Sequence, residues 1–474
     1  MYRHSQLLTQ CVATGWKSML GLYSGVHFIE LAKGDLIFVA GNYRLAAYGW
    51  LAGPTIEKGA VANAGLWDQR AVLEWIQDNV QFFGGNKEQV TVWGESAGAG
   101  SIFNHLVAFG GKQDPLFKRA AILSPYQPLG DRLTAGKQEA AYKKIEQLVG
   151  CAGKGLTCVQ NVSVKKLDAA NQKFQVETPA GVFGTGNEVD GTWAKQLPSS
   201  EFKQRNVVNL ESIIISSAEN EASPFVDNSV KTDAQFTKWF EDLYGPLAKN
   251  DKFAKAVMEM YPPVGEGKSL YTNQIDRRKD FYRDAGFSCY ARYITDAYPG
   301  KTYNMVFGEL GGFHGTDLIA LFSRKNLKVL GVSIPLPAAL VAVAKTYQSY
   351  LVSHAVTGDP NAMSLKDTGT GLIVAPNWPR ATKQEGEYME NVLLMQNGGL
   401  TVGRSKGIAA KNCDKWQDIL LQVTQDVGRN ARFVAPVQVS KTGNSKSSKS
   451  GSNSKGERGR SPDGLVHEVD SRSI

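Results

Sequence analysis

Val90-Thr91-Val92-Trp93 is a short apolar run that leads straight into Gly94-Glu95-Ser96-Ala97-Gly98, and small residues then open a helical stretch over 97–107. A serine on so tight a strand–turn–helix junction has strained backbone angles, so the side chains flanking it must be nearly absent. Gly94 and Gly98 supply that room, and the strain holds the Ser96 hydroxyl where a base and a substrate can reach it. This is the context of a nucleophile elbow. An elbow also constrains the fold, because it needs a buried strand beneath it and a helix running back from it.

The neighbouring chain supplies the rest of such a sheet. Asp35-Leu36-Ile37-Phe38-Val39-Ala40 reads as a buried strand. Residues 66–80 read as a helix, with Leu66, Leu73, Ile76 and Val80 on one stripe and glycine at its end. The elbow follows, then another apolar run over 119–124. Strand, helix, strand, helix, strand at these spacings requires crossover connections, hence a largely parallel sheet with helices on both faces. Residues 210–216 and 302–307 are further strands, 308–315 a glycine-rich loop, and 232–297 and 337–356 helical. Residues 130–205 mix helix and loop, and residues 1–33 show no coherent element.

The bare Gly-x-Ser-x-Gly pattern is a weak signal in a chain with 49 glycines, and a second copy stands at Gly403-Arg404-Ser405-Lys406-Gly407. That copy follows no clean apolar strand and leads into charged residues, so it reads as a chance loop. On an elbow the partners follow the serine in the order acid, then histidine. Of the six histidines, His4 and His27 precede Ser96, His105 lies on the elbow helix, His354 is mid-helix and His467 is in the tail. His314 remains, on a loop just beyond an apolar run. The acid belongs after the strand at 210–216, where Glu219 and Glu221 are both available and Asp227 is a weaker third. Either glutamate could orient the imidazole and stabilise its cation. The residues alone do not rank the two.

The net charge of +8 comes partly from the C-terminal tail, and the rest is mixed rather than gathered in a basic stripe, which argues against a nucleic-acid partner. No apolar run approaches the ~20 residues of a membrane span. The first residues lead into polar ones without an apolar core, so no signal peptide is expected here. The five cysteines fit no zinc pattern, and no metal or cofactor is expected. Cys151 and Cys158 bracket a small loop, with the sequon Asn161-Val162-Ser163 just beyond it. A disulfide in an oxidising compartment, or free thiols and an unused sequon, both stay open. From about residue 441 the chain is Ser, Lys, Gly and Asn, too polar to offset its ordering entropy. One domain over 1–435 and a disordered tail over 436–474 are expected.

Taken together, the chain resembles the type-B carboxylesterases, the esterase/lipase–cholinesterase group, over roughly 23–425. The resemblance rests on Asn42-Tyr43-Arg44-Leu45, Asn63-Ala64-Gly65-Leu66-Trp67-Asp68-Gln69, Phe83-Gly84-Gly85-Asn86, the elbow, Asp190-Gly191, His314-Gly315-Thr316-Asp317 and Trp378-Pro379. It implies an α/β-hydrolase fold, a serine carboxylic-ester hydrolase, a small-molecule or lipid ester as substrate, and secretion. It also implies Ser96 as nucleophile and His314 as general base. The family's Asp-Glu-Gly falls on Asn220-Glu221-Ala222, which selects Glu221, and the alanine is tolerated if its φ is negative. Glu95 and Ser124 resemble a buried polar pair that supports the histidine, and Cys151–Cys158 matches the family's small-loop disulfide.

One departure stands out. The family's oxyanion hole combines the amide after the nucleophile, here Ala97, with amides of a glycine-rich loop upstream. Leu22-Tyr23-Ser24-Gly25-Val26-His27-Phe28 resembles the segment shortly after that loop, which puts the loop near residues 8–14, where no glycine stands. The family's N-terminal strands are expected to be missing. Loss of an oxyanion donor typically costs ~10²–10³ in rate. An impaired, N-terminally truncated esterase is therefore a second expectation, and a non-catalytic binding protein of the same fold a third.

Overall fold

Runs such as Ala120-Ala121-Ile122-Leu123 and Ile213-Ile214-Ile215 are apolar at every position because both faces of the sheet they build are covered. Ala120, Ile122, Ile213 and Ile215 pack into one core, with Leu73 and Ile76 of the helix Ala64–Asn79, Ile102 and Phe103 of the helix Ala97–Leu106, and Ile294 of the helix Cys289–Ala297. Ala121, Leu123 and Ile214 point the other way, into a second core with Val343, Tyr347 and Leu351 of the helix Ala338–Thr357. The chain is described from a computed structural model, over residues 5–12, 24–113, 115–127, 136–178, 184–265, 267, 269, 271–323, 325–329, 332–363, 375–383, 388–405 and 410–430.

The strands of these residues are β1 (Ser5–Val12), β2 (Leu36–Ala40), β3 (Gly85–Glu95), β4 (Arg119–Leu123), β5 (Ser212–Ala218), β6 (Thr302–Phe307), β7 (Asn326–Val329), β8 (Val332–Pro335), β9 (Thr382–Lys383), β10 (Met389–Gln396) and β11 (Gly399–Ser405). One sheet runs β11-β10-β6-β5-β4-β3-β1-β2, with β9 beside β10, while β7 and β8 form a separate hairpin. Every pairing from β2 to β10 is parallel, and β9 and β11 are antiparallel to β10. In a parallel sheet the loops after the strands share one edge, so the residues after β3, β5 and β6 converge.

The helix Ala64–Asn79 stops in a single 3₁₀ turn, Val80–Phe83, and Gly84 at φ 80° closes it, a left-handed conformation that favours glycine. Beyond the sheet, the helices Asp233–Tyr244, Asp251–Met260 and Gln274–Tyr282 enclose a third, largely aromatic core with Trp416 of the helix Ala410–Asn430.

Several elements were not foreseen. A strand occupies Ser5–Val12 and a short helix Val26–Leu31, where no coherent element was expected. The β9–β11 strands, the β7–β8 hairpin and the last helix were also missed. The second Gly-x-Ser-x-Gly is not a loop, because Gly403-Arg404-Ser405 ends β11, where Gly403 pairs with Val392 of β10. The expected tail over 436–474 lies outside the described residues.

Candidate active site

The elbow is built by close backbone approach. A Cβ on Gly94 would stand 2.6 Å from the carbonyl group of Gly98, and one on Gly100 would stand 2.0 Å from the Tyr126 carbonyl oxygen. Between them Ser96 sits at φ 56°, ψ −124°, a conformation that costs about 1–3 kcal/mol and persists only when neighbours impose it. Those neighbours are on both sides. Ser96 N donates to Leu123 O at 3.0 Å, while Gly100 N and Tyr126 N donate to Ser96 O at 2.9 and 3.0 Å. Gly100→Ala should therefore push Tyr126 off the elbow. It is expected to cost about 3 kcal/mol, the upper end of overpacking penalties, read as a lower urea midpoint.

The two partners arrive on neighbouring strand ends. His314 Nε2 lies 2.7 Å from Ser96 Oγ, and His314 Nδ1 lies 2.7 Å from Glu221 Oε2. Glu221 is itself fixed, since its Oε1 accepts from Ala218 N at 2.6 Å. Of the two glutamates left open by the residues, the buried Glu221 makes the contact and Glu219 is exposed. Asp227 pairs with Arg278 instead. Ala222, in place of the family's glycine, has φ −77° and is unstrained. Asn220 ties the acid loop to the histidine loop. Its N donates to Gly312 O and its Nδ2 to Gly311 O, both at 2.8 Å. No sequence signal singled it out.

Ala97 is exposed and opens the elbow helix, so its N–H has no acceptor within that helix. Of the residues expected to hold the rest of the oxyanion site, Leu8–Val12 pair along β1 with β3, Val12 opposite Glu95. Positions 13 and 14 lie outside the described residues. The positive end of the helix Ala97–Leu106 favours negative charge at the elbow.

Three buried carboxyls surround the imidazole. Glu95 Oε1 is 3.5 Å from His314 Nε2. Burial pushes the Glu95 carboxyl well above its ordinary range, against the pull of His314 and helped by Asp317 and Glu221. Burial and the Glu221 charge raise Asp317 to about 7. Asp317 closes the His-Gly-Thr-Asp motif, which by itself assigns it no role, and its buried position is what the motif conceals. For His314, burial works against protonation, but the hydrogen bond and charge of Glu221, then the charges of Glu95 and Asp317, raise it to about 9. Ser124 is fully buried, with its N donating to Ser216 O at 3.0 Å. Its hydroxyl has no hydrogen-bond partner among the described residues, so direct support of His314 is not seen.

A second serine–histidine pair exists and differs in kind. Ser212 Oγ is 2.9 Å from His354 Nε2 and donates to Gly358 O at 2.9 Å. With its proton committed to that carbonyl, Ser212 must accept from Nε2–H, so the imidazole cannot act on it as a base. Burial, with Arg119 nearby, lowers His354 to about 3, and both residues are fully enclosed. This pair fastens β5 to the helix Ala338–Thr357. Among the described residues no three His, Cys, Asp or Glu side chains converge as metal ligands.

A model of the carboxylesterase family matches residues 15–414. The chain belongs to the carboxylesterase family. A secreted lipase of Arthroderma benhamiae is 36% identical over 414 residues, covering 86% of this chain and 76% of that protein. Carboxylesterase PatB of Penicillium expansum is 28% identical over 327 residues, 69% of this chain and 56% of its own length. The crystal structure of Aspergillus niger EstA superposes with a TM-score of 0.72 at 22% identity, covering 89% of this chain and 82% of that one, and so supports the α/β-hydrolase fold. This carboxylesterase is thus a serine carboxylic-ester hydrolase of the esterase/lipase type. Among its described residues no helix is long and apolar enough to cross a membrane.

Two disulfides brace the described residues. Cys151–Cys158 closes the small loop, as the resemblance implied. Cys289–Cys413 was missed, because partners 124 residues apart leave no spacing signal. Asn161 is exposed at the end of the helix Leu156–Gln160, its Nδ2 donating to Thr157 O at 2.8 Å.

Proposed function

We propose that Ser96 attacks the ester carbonyl, that His314 takes its proton and returns it to the leaving alcohol, and that Glu221 orients His314 and stabilises its cation. Water then attacks the acyl-enzyme with the same base. The Ala97 amide is one oxyanion donor, and Glu95, whose carboxyl burial pushes up, lies beside the imidazole. The observation that carries this reading is the unbroken line Ser96 Oγ–His314 Nε2–Glu221 Oε2, 2.7 Å at each step, on a serine held at positive φ. Hydrolysis of p-nitrophenyl acetate and butyrate, with a fluorophosphonate probe mapped by mass spectrometry, tests it. Label on Ser96 that tracks lost turnover is expected. An active protein labelled elsewhere, on Ser212 for example, would overturn it.

A second reading is favoured by β1. Leu8–Val12 lie in register with β3, and Leu8–Gln10 with β2 as well, so a paired strand stands where the resemblance put the glycine-rich loop. An esterase impaired at its oxyanion hole would still take the probe at Ser96 but turn over p-nitrophenyl esters ~10²–10³-fold slower than an intact one.

The two disulfides and a 36% identical relative named as a secreted lipase support action outside the cytosol on small-molecule or lipid esters. Expressed through a secretory host, the chain is expected to carry an N-glycan at Asn161 and to lose that mass in Asn161→Gln. An unmodified Asn161 in protein that has passed through the secretory route would count against this.

A further inference from the structure

The side of the site behind His314 is aromatic, and half of it is carried by a turn of unusual pitch. Between the helices Gln274–Tyr282 and Cys289–Ala297, residues Arg283–Ser288 form a π-helix, a single-turn feature frequent at functional sites. It carries Phe287, which is fully buried. The Phe287 ring lies 5.0 Å from the His314 ring at 62°. Phe225, just beyond Glu221, lies 5.1 Å from it at 65°. The two phenylalanines stack on each other at 5.4 Å and 25°.

The turn is tied to the elbow and to the far end of the chain. Gln127 N donates to Gly286 O at 3.0 Å, while the preceding Tyr126 N donates to Ser96 O. The Tyr126 ring lies 3.2 Å from where a Cβ on Gly286 would be, so the turn has no slack on that side. Immediately after it, Cys289 is bridged to Cys413 of the helix Ala410–Asn430, and both cysteines are fully buried.

We propose that Phe287, held by the π-turn and the Cys289–Cys413 bridge, is a positioning residue for His314, so that the bridge sets turnover as well as stability. This rests on the reading of His314 as the base. Hydrogen bonds at Nδ1 and Nε2 fix the line through the imidazole but leave its tilt about that line free. Two edge-to-face rings remove that freedom, each contact being worth about 0.5–1.5 kcal/mol beyond its buried area. A general base displaced by about 1 Å loses up to ~10² in rate. Leucine at 287 would keep an apolar filling but offer no ring.

The test compares wild type, Phe287→Leu, Cys289→Ser/Cys413→Ser and their combination on p-nitrophenyl butyrate, at a temperature where circular dichroism shows all four folded. Phe287→Leu is expected to lower kcat about tenfold with KM within about twofold, and to broaden the low-field proton resonance of the His314–Glu221 hydrogen bond. Phe287→Tyr should restore both. The cysteine pair should reproduce the kcat loss, and the combination should fall no further, the non-additive outcome of a shared path. Full kcat in Phe287→Leu, or losses that multiply in the combination, would overturn the proposal. If the cysteine variant does not fold, mild reduction of the native enzyme replaces it. Lost kcat before any loss of dichroism supports the coupling, and unchanged kcat in reduced, folded protein overturns it. Ser96→Ala is run alongside. An inactive Ser96→Ala beside a fully active Phe287→Leu defeats the positioning role alone, whereas an active Ser96→Ala defeats the triad reading beneath it.

Discussion

Ser96→Ala is expected to lower kcat by about 10⁶, the loss found when the nucleophile of a triad acting as a unit is removed. At 1.36 kcal/mol per tenfold change that is about 8 kcal/mol of transition-state stabilisation. Stability should barely move, because alanine inherits the same strained φ and the three hydrogen bonds of the turn use backbone atoms. Any residual rate over water belongs to substrate binding and the oxyanion donors. Purified variant and wild type, matched by thermal melt, would be compared on p-nitrophenyl butyrate. A variant retaining a tenth of wild-type turnover would sink Ser96 as the nucleophile.

Glu221→Gln should cost about 10⁴ in kcat while leaving the site intact, as expected when an amide replaces the carboxylate and holds the wrong tautomer. The pH profile separates orientation from charge. As the proposed base, His314 must be neutral to accept the Ser96 proton, and it is raised to about 9. Activity of the wild type should therefore climb with pH through neutrality towards about 9, well past the ordinary histidine value near 6.5. Glu221 supplies the largest contributions that raise it. In Glu221→Gln the rising limb should move to lower pH, making a larger fraction of the imidazole neutral at pH 7 even though turnover is far slower. A limb that stays in place would show that a different group controls it.

How far these features can be read from residues alone depends on the range of the forces that make them. The elbow was legible because its steric demand is local, and Gly94, Ser96 and Gly98 stand within five residues. His314 was reached by chain order, and Glu221 by motif resemblance, since two glutamates two residues apart look alike until a fold buries one and exposes the other. The strands read at 35–40, 90–93, 119–124 and 210–216 announced themselves as short apolar runs, whereas the polar start of β3, Gly85-Asn86-Lys87-Glu88-Gln89, carried no such signal. Nor did β1, because Ser5-Gln6-Leu7-Leu8-Thr9-Gln10 carries polar residues where a central strand usually has none. The buried Asp317, the loop-fastening Asn220 and the Cys289–Cys413 bridge are contacts across 90 or more residues or consequences of burial. Periodicity holds no record of either.

The distance between Cys289 and Cys413 also bears on how the chain is made. At about 5–20 residues per second, Cys158 follows Cys151 off the ribosome within about a second, whereas Cys289 waits roughly 6–25 s for Cys413. The short loop can be sealed before the third thiol of the set emerges, which takes its two sulfurs out of competition. Over the longer wait the helix Cys289–Ala297 and its π-turn have the sheet to pack on but not the helix Ala410–Asn430 that locks them. Oxidative closure of this enzyme is therefore a late step, completed only after β10 and β11 have been synthesised.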